Sequence, residues 1–124
     1  MTHTVVIAAG GAVGALFRFW VSSGVYAVTG RDFPYGTLVV NLLGSLLMGF
    51  LYIALIERIA VSAEWRSFLL IGVLGAFTTF STFSIETLNL FEDGELVRAF
   101  LNIVLSVVLC VGAAWLGIIM GRQL

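Results

Sequence analysis

Residues 75–84 read GAFTTFSTFS, with five hydroxyls (Thr78, Thr79, Ser81, Thr82, Ser84) and three phenylalanines (Phe77, Phe80, Phe83) in ten positions. No charge falls among them, and the run before them, FLLIGVL (68–74), is apolar. What surrounds this stretch decides the fold. The chain has 124 residues, 60% hydrophobic and 10% charged. An ordinary globular domain is about 25% charged. A soluble chain this small has a large surface to cover, and six arginines with seven acids cannot cover it. The composition is that of an all-α integral membrane protein.

A bilayer-spanning helix needs about 20 mostly apolar residues. Four segments meet that length: about 4–28, 36–56, 66–91 and 97–120. The connectors TGRDFPYG, ERIAVSAEW and EDGE carry the turn residues and charges that separate them. None is long enough for a soluble domain, so residues 1–124 read as one four-helix domain with both termini on one side. The run at 4–16 has no Lys or Arg before it and is read as a retained span rather than a leader.

Several function classes fall away. The net charge is −1, so nothing points to nucleic acid. The single Cys110 permits neither an internal disulfide nor a cysteine zinc site. Gly10, Gly11 and Gly14 do not make the G-x-G-x-x-G spacing of a dinucleotide turn. No nucleophile–base pair or metal-ligand cluster stands out, so an enzyme is not expected.

Arginine placement normally orients a membrane protein. Here Arg58, Arg66 and Arg122 fall on the side of the termini, and Arg31, Arg98 and Arg18 near the other. Three against three leaves two readings: too few charges to decide, or a chain that inserts both ways and pairs antiparallel. Small residues four apart (Gly10 and Gly14; Ala113, Gly117 and Gly121) allow close helix approach. Arg18 continues the Gly10–Gly14 stripe and is expected to face protein or a watery vestibule.

Polar residues recur every fourth position: Thr37, Asn41 and Ser45 in the second span, Asn102, Ser106 and Cys110 in the fourth. Positions i and i+4 share a helix face. Such groups can serve as interhelical hydrogen bonds, or three stripes can line a path. The mid-span regions carry no carboxylate, which a proton-coupled transporter would need. Hydroxyls and amides donate hydrogen bonds, which suits an anion. Phe80 and Phe83 share a face, and a ring edge is positive; the same pair also suits plain packing. Gly75 and the β-branched Thr78–Thr79 weaken the third helix, and a break there frees backbone carbonyls.

With these residues in view, GGAVGALFRFW (10–20), GTLVVNLLGSLLMG (36–49) and GVLGAFTTFSTFSIE (72–86) resemble the Fluc (CrcB-type) fluoride channel family in order and spacing. The resemblance implies an antiparallel dual-topology homodimer with a broken third helix, in the inner membrane of a prokaryote. It implies passive, selective export of cytoplasmic fluoride. Phe80 and Phe83 then match the rings beside the ion path, and Asn41 the pore amide. Ser81, Thr82 and Ser84 match the hydroxyl-rich third helix, with Asn102 and Ser106 on the fourth. Glu86 and Arg18 match vestibule charges. The carbonyls of Gly75 and Thr78 match a buried Na⁺ site shared by two subunits. Ala76 stands where the motif often has a second glycine. The alternative is a small multidrug-resistance-type antiporter, which would need an acid in the first span; residues 4–28 have none.

Overall fold

The computed structural model describes residues 2–124, and every element in it is helical. Helix α1 spans Thr2–Thr29 and α2 spans Tyr35–Ile53, continued by a π-helical turn at Ala54–Arg58. The third span is assembled from α3 (Ala63–Arg66), a π-helical stretch (Ser67–Val73), α4 (Leu74–Phe77) and α5 (Phe80–Glu92). Helix α6 spans Leu96–Gly121. Four helical runs are long and apolar enough to cross a membrane: Thr2–Thr29, Tyr35–Arg58, Ala63–Glu92 and Leu96–Gly121. They match the four expected segments to within a turn.

Local chemistry sets the ends. Gly30 and Gly94 follow helix ends with φ of 76° and 78°, the left-handed conformation that a residue without Cβ adopts freely. Ser62 caps α3 by accepting from the Trp65 N–H. At the side of the termini His3 Nδ1 lies 3.0 Å from Ser67 Oγ, and Arg58 Nη2 donates to the Arg122 carbonyl at 3.1 Å. Both termini and the second connector therefore share one end, as the hydropathy pattern implies.

Backbones meet at small residues. A Cβ on Gly10 would strike the Phe68 carbonyl oxygen, and one on Gly14 the Val73 carbonyl oxygen. The wider turn of the π-helical stretch presents those carbonyls to α1. A Cβ on Gly49 would strike the Ala114 carbonyl, and one on Gly117 the Leu46 carbonyl. In lipid, where apolar burial between helices gains little, such close van der Waals contact is what holds helices together. Both small-residue stripes read from sequence are used, with Gly49 and Gly72 as partners the spacing did not single out.

Candidate functional site

The third span breaks at two residues. Thr78 (φ −85°, ψ 158°) and Thr79 (φ −151°, ψ 116°) are extended between α4 and α5. Two β-branched residues in sequence disfavour helix, but the geometry is fixed by a side chain from another span. Asn41 Oδ1 accepts from the Thr79 N–H at 2.8 Å, and Asn41 Nδ2 donates to the Thr79 carbonyl at 3.0 Å. One amide thus satisfies both backbone groups of Thr79, which is only 8% exposed. Unpaired, those groups would be costly in a membrane. Gly44, one turn further along α2, makes room: a Cβ there would collide with Thr78 Cγ2.

Thr79 also caps α5, its Oγ1 accepting from the Thr82 N–H at 3.2 Å. These diversions have a consequence for the carbonyls. In a continuous helix the Thr79 N–H would bond to the Gly75 carbonyl, and the Thr82 N–H to the Thr78 carbonyl. Both donors are spent elsewhere, so the Gly75 and Thr78 carbonyls lose their helical partners. Sequence placed Gly75 at the start of the break; it lies inside α4, and the break is Thr78–Thr79.

A cavity of about 390 Å³ opens beside the break. Asn41, Ser45, Thr79, Phe80, Phe83 and Ser106 lie on its wall, and Cys110 extends it along α6. The two phenylalanine rings sit with centroids 5.3 Å apart and planes at 43°. Phe80 is 78% exposed on the single chain, so its ring projects away from the chain's own core. No ionisable carboxylate or guanidinium belongs to this wall. The first N–H groups of α5 lie at the same place, and a helix N-terminus carries partial positive charge.

The other sequence candidates are distributed around this cavity rather than on it. Ser81 Oγ lies 3.3 Å from Thr79 Oγ1, Thr82 Oγ1 accepts from Thr79 Oγ1 at 3.0 Å, and Ser84 donates to the Phe80 carbonyl at 2.9 Å. Asn102 is 2% exposed, behind the cavity between α5 and α6. Its Nδ2 donates to Thr87 Oγ1 at 2.8 Å, and its Oδ1 accepts from Ser106 at 3.4 Å. The stripe on α6 therefore divides: Ser106 and Cys110 reach the cavity, Asn102 does not. Arg18 is half-buried on α1.

Glu86 belongs to a second cluster, at the end opposite the termini. Its Oε2 accepts from the Tyr26 hydroxyl at 2.9 Å. Tyr26 in turn lies 3.5 Å from Thr37 Oγ1. Thr37, expected to share the Asn41–Ser45 stripe's role, is thus engaged away from the main cavity. Sequence reading missed Tyr26 and Thr79 as organising residues. Nothing in periodicity marks a tyrosine near a helix end or one threonine of a pair.

Known proteins resemble this chain over most of its length. Residues 5–118 match the family described as CrcB-like protein, Camphor Resistance (CrcB). A Methylococcus capsulatus protein named fluoride-specific ion channel FluC is 60% identical over 95% of this chain. The chain spans 52% of that relative's length. A Coxiella burnetii protein of the same name is 51% identical over 98% of this chain and 99% of its own. One from Geobacter sulfurreducens is 50% identical over the full length of both.

Proposed function

Because the chain belongs to the CrcB family, whose relatives above are named fluoride channels and not enzymes, we propose that it is a fluoride-selective channel conducting through the cavity beside the third-span break. The antiporter alternative loses its footing with that membership, and the first span offers no acid to couple protons.

The observation that carries the reading is the wall itself: a mainly apolar lining that sets in place an amide, hydroxyls and two aromatic rings, with no fixed carboxylate or guanidinium. Fluoride is small and holds water tightly. A pore for it must replace that water with donors, yet bind weakly enough for release. One Nδ2 hydrogen of Asn41 goes to the Thr79 carbonyl, and the second remains for an anion. Positive ring edges of Phe80 and Phe83 add attraction without a charge that would trap the ion. The N-terminus of α5 favours an anion at the same place.

The functional unit in this reading is an antiparallel homodimer. Exposed Phe80 and the balanced arginines fit a second copy in inverted orientation. The Gly75 and Thr78 carbonyls, relieved of their helical donors, fit a Na⁺ ion. Two carbonyls are few for such a cation, and a second copy supplies two more. Na⁺ bound there would tie the two breaks together as a structural ion. The membrane is the prokaryotic inner membrane, and the flow is passive export.

The test is efflux from liposomes loaded with KF or KCl after adding valinomycin. Fluoride efflux without chloride efflux, and without a proton requirement, is the expected result. Phe80→Ile should reduce it by at least tenfold while the dimer elutes unchanged. No fluoride efflux from the unmodified chain would end the channel reading.

A further inference from the structure

Tyr26 takes no part in the path described above, yet it holds Glu86, three residues after Phe83 on α5. It sits near the end of α1 and reaches two other spans: Glu86 Oε2 on α5 at 2.9 Å and Thr37 Oγ1 on α2 at 3.5 Å. A tyrosine hydroxyl has one proton. That proton goes to the carboxylate, so Thr37 is the donor in the longer contact. Thr37 is 5% exposed, which makes this a sheltered chain of hydroxyls ending on Glu86.

The ring is caged as well. The Arg31 guanidinium carbon lies 4.3 Å from the ring centroid. Gly36 leaves space for the ring edge, where a Cβ would run into Tyr26 Cε2. Glu86 is left with one oxygen held and one not: Oε1 is buried and has no hydrogen-bond partner. Glu86, Tyr26, Arg31 and Asp93 share a second cavity of about 210 Å³.

We propose that Tyr26 is a positioning residue for ion passage, its hydroxyl clamping Glu86 Oε2 so that Oε1 is the oxygen left without a partner within the chain. This rests on the fluoride-channel reading. A free glutamate side chain samples many rotamers, and a clamp from α1 to α5 selects among them. Oε2 is engaged by the Tyr26 proton, so the carboxylate's unpaired acceptor is Oε1.

Tyr26→Phe removes the hydroxyl alone and keeps the ring, the Arg31 stacking and the Gly36 contact. In fluoride-loaded liposomes the variant should lose flux severalfold, with fluoride-over-chloride selectivity and dimer elution unchanged and a modest drop in melting temperature from the lost hydrogen bond. Added to Glu86→Ala, Tyr26→Phe should change flux no further, because no carboxyl remains to hold. Unmodified flux in Tyr26→Phe, or an additive loss in the double variant, overturns the proposal. Where Glu86→Ala leaves too little flux to read, the infrared carboxyl band of ¹³C-glutamate protein decides. The band assigned to Glu86 by its loss in Glu86→Ala should shift in Tyr26→Phe; an unshifted band overturns the proposal. Failure of the unmodified chain to pass fluoride would sink the channel reading instead, a separate outcome.

Discussion

Along the α2–α6 seam, Gly49, Gly117 and Gly121 set one backbone directly against another, and both helices run unbroken through the contact. The third span packs against α1 through glycines too, at Gly10, Gly14 and Gly72, but its own backbone changes form three times before Phe80. Along the seam both helices keep regular backbone, and the contact is made chiefly by packing. The third span leaves peptide groups for other spans to satisfy, and Asn41 does so. Small residues thus serve two ends here: close approach of regular helices, and room for an irregular one. Irregular backbone at membrane depth is tolerated only where protein or a watery cavity lines it, and the break meets that condition on both sides.

The seam should be the less forgiving region. Gly117→Leu places side-chain atoms where the Leu46 carbonyl and the Phe50 nitrogen already stand. Overpacking ordinarily costs about 1–3 kcal/mol when side chains can shift. Here the obstacle is backbone, so the cost should exceed that range. The expected outcome is loss of a monodisperse species on size exclusion in detergent. A variant that elutes and melts like the unmodified chain would show that the seam yields.

Asn41 tests the other side of the comparison. Asn41→Ala strands the N–H and carbonyl of Thr79, each costing about 1–3 kcal/mol if left buried and unpaired. The protein should still assemble, since the seam is untouched, but melt lower and pass no fluoride. Asn41→Asp keeps the acceptor for the Thr79 N–H and loses the donor to its carbonyl. It should melt between the other two and also fail to conduct, because a fixed negative charge faces the anion. Conduction in Asn41→Asp would separate the splint from the pore donor and leave Asn41 as a splint alone.

The four spans were legible because each is a long apolar run bounded by charges, and bilayer thickness enforces the length. The glycine stripes were legible because helical spacing is rigid. The break was half legible: β-branching at Thr78–Thr79 signals a weak helix, but its position depends on Asn41, 38 residues away in sequence. The polar stripes misled in one respect. Positions four apart do share a face, yet a face can meet several neighbours along its length. Thr37 meets Tyr26, Asn41 meets Thr79, and Ser45 meets the cavity. Tyr26 was invisible because its partners lie on two other spans.

Asn102 offers the smallest and most discriminating effect. It looks from sequence like the head of a polar stripe, yet its amide is engaged on both sides, by Thr87 and Ser106. Removing it as Asn102→Ala leaves neither partner stranded. The Thr87 hydroxyl still donates to the Phe83 carbonyl at 2.7 Å, and Ser106 faces a cavity that can hydrate it. The loss should therefore be that of ordinary hydrogen bonds, about 1 kcal/mol, read as a modest drop in melting temperature. Fluoride flux should stay within about twofold of the unmodified chain, a shift below 1 kcal/mol in barrier. Because Thr87 binds the Phe83 carbonyl, a larger fall would mean that the α5–α6 contact sets the pose of the Phe83 ring. The boundary between packing and path would then run through Asn102 rather than in front of it.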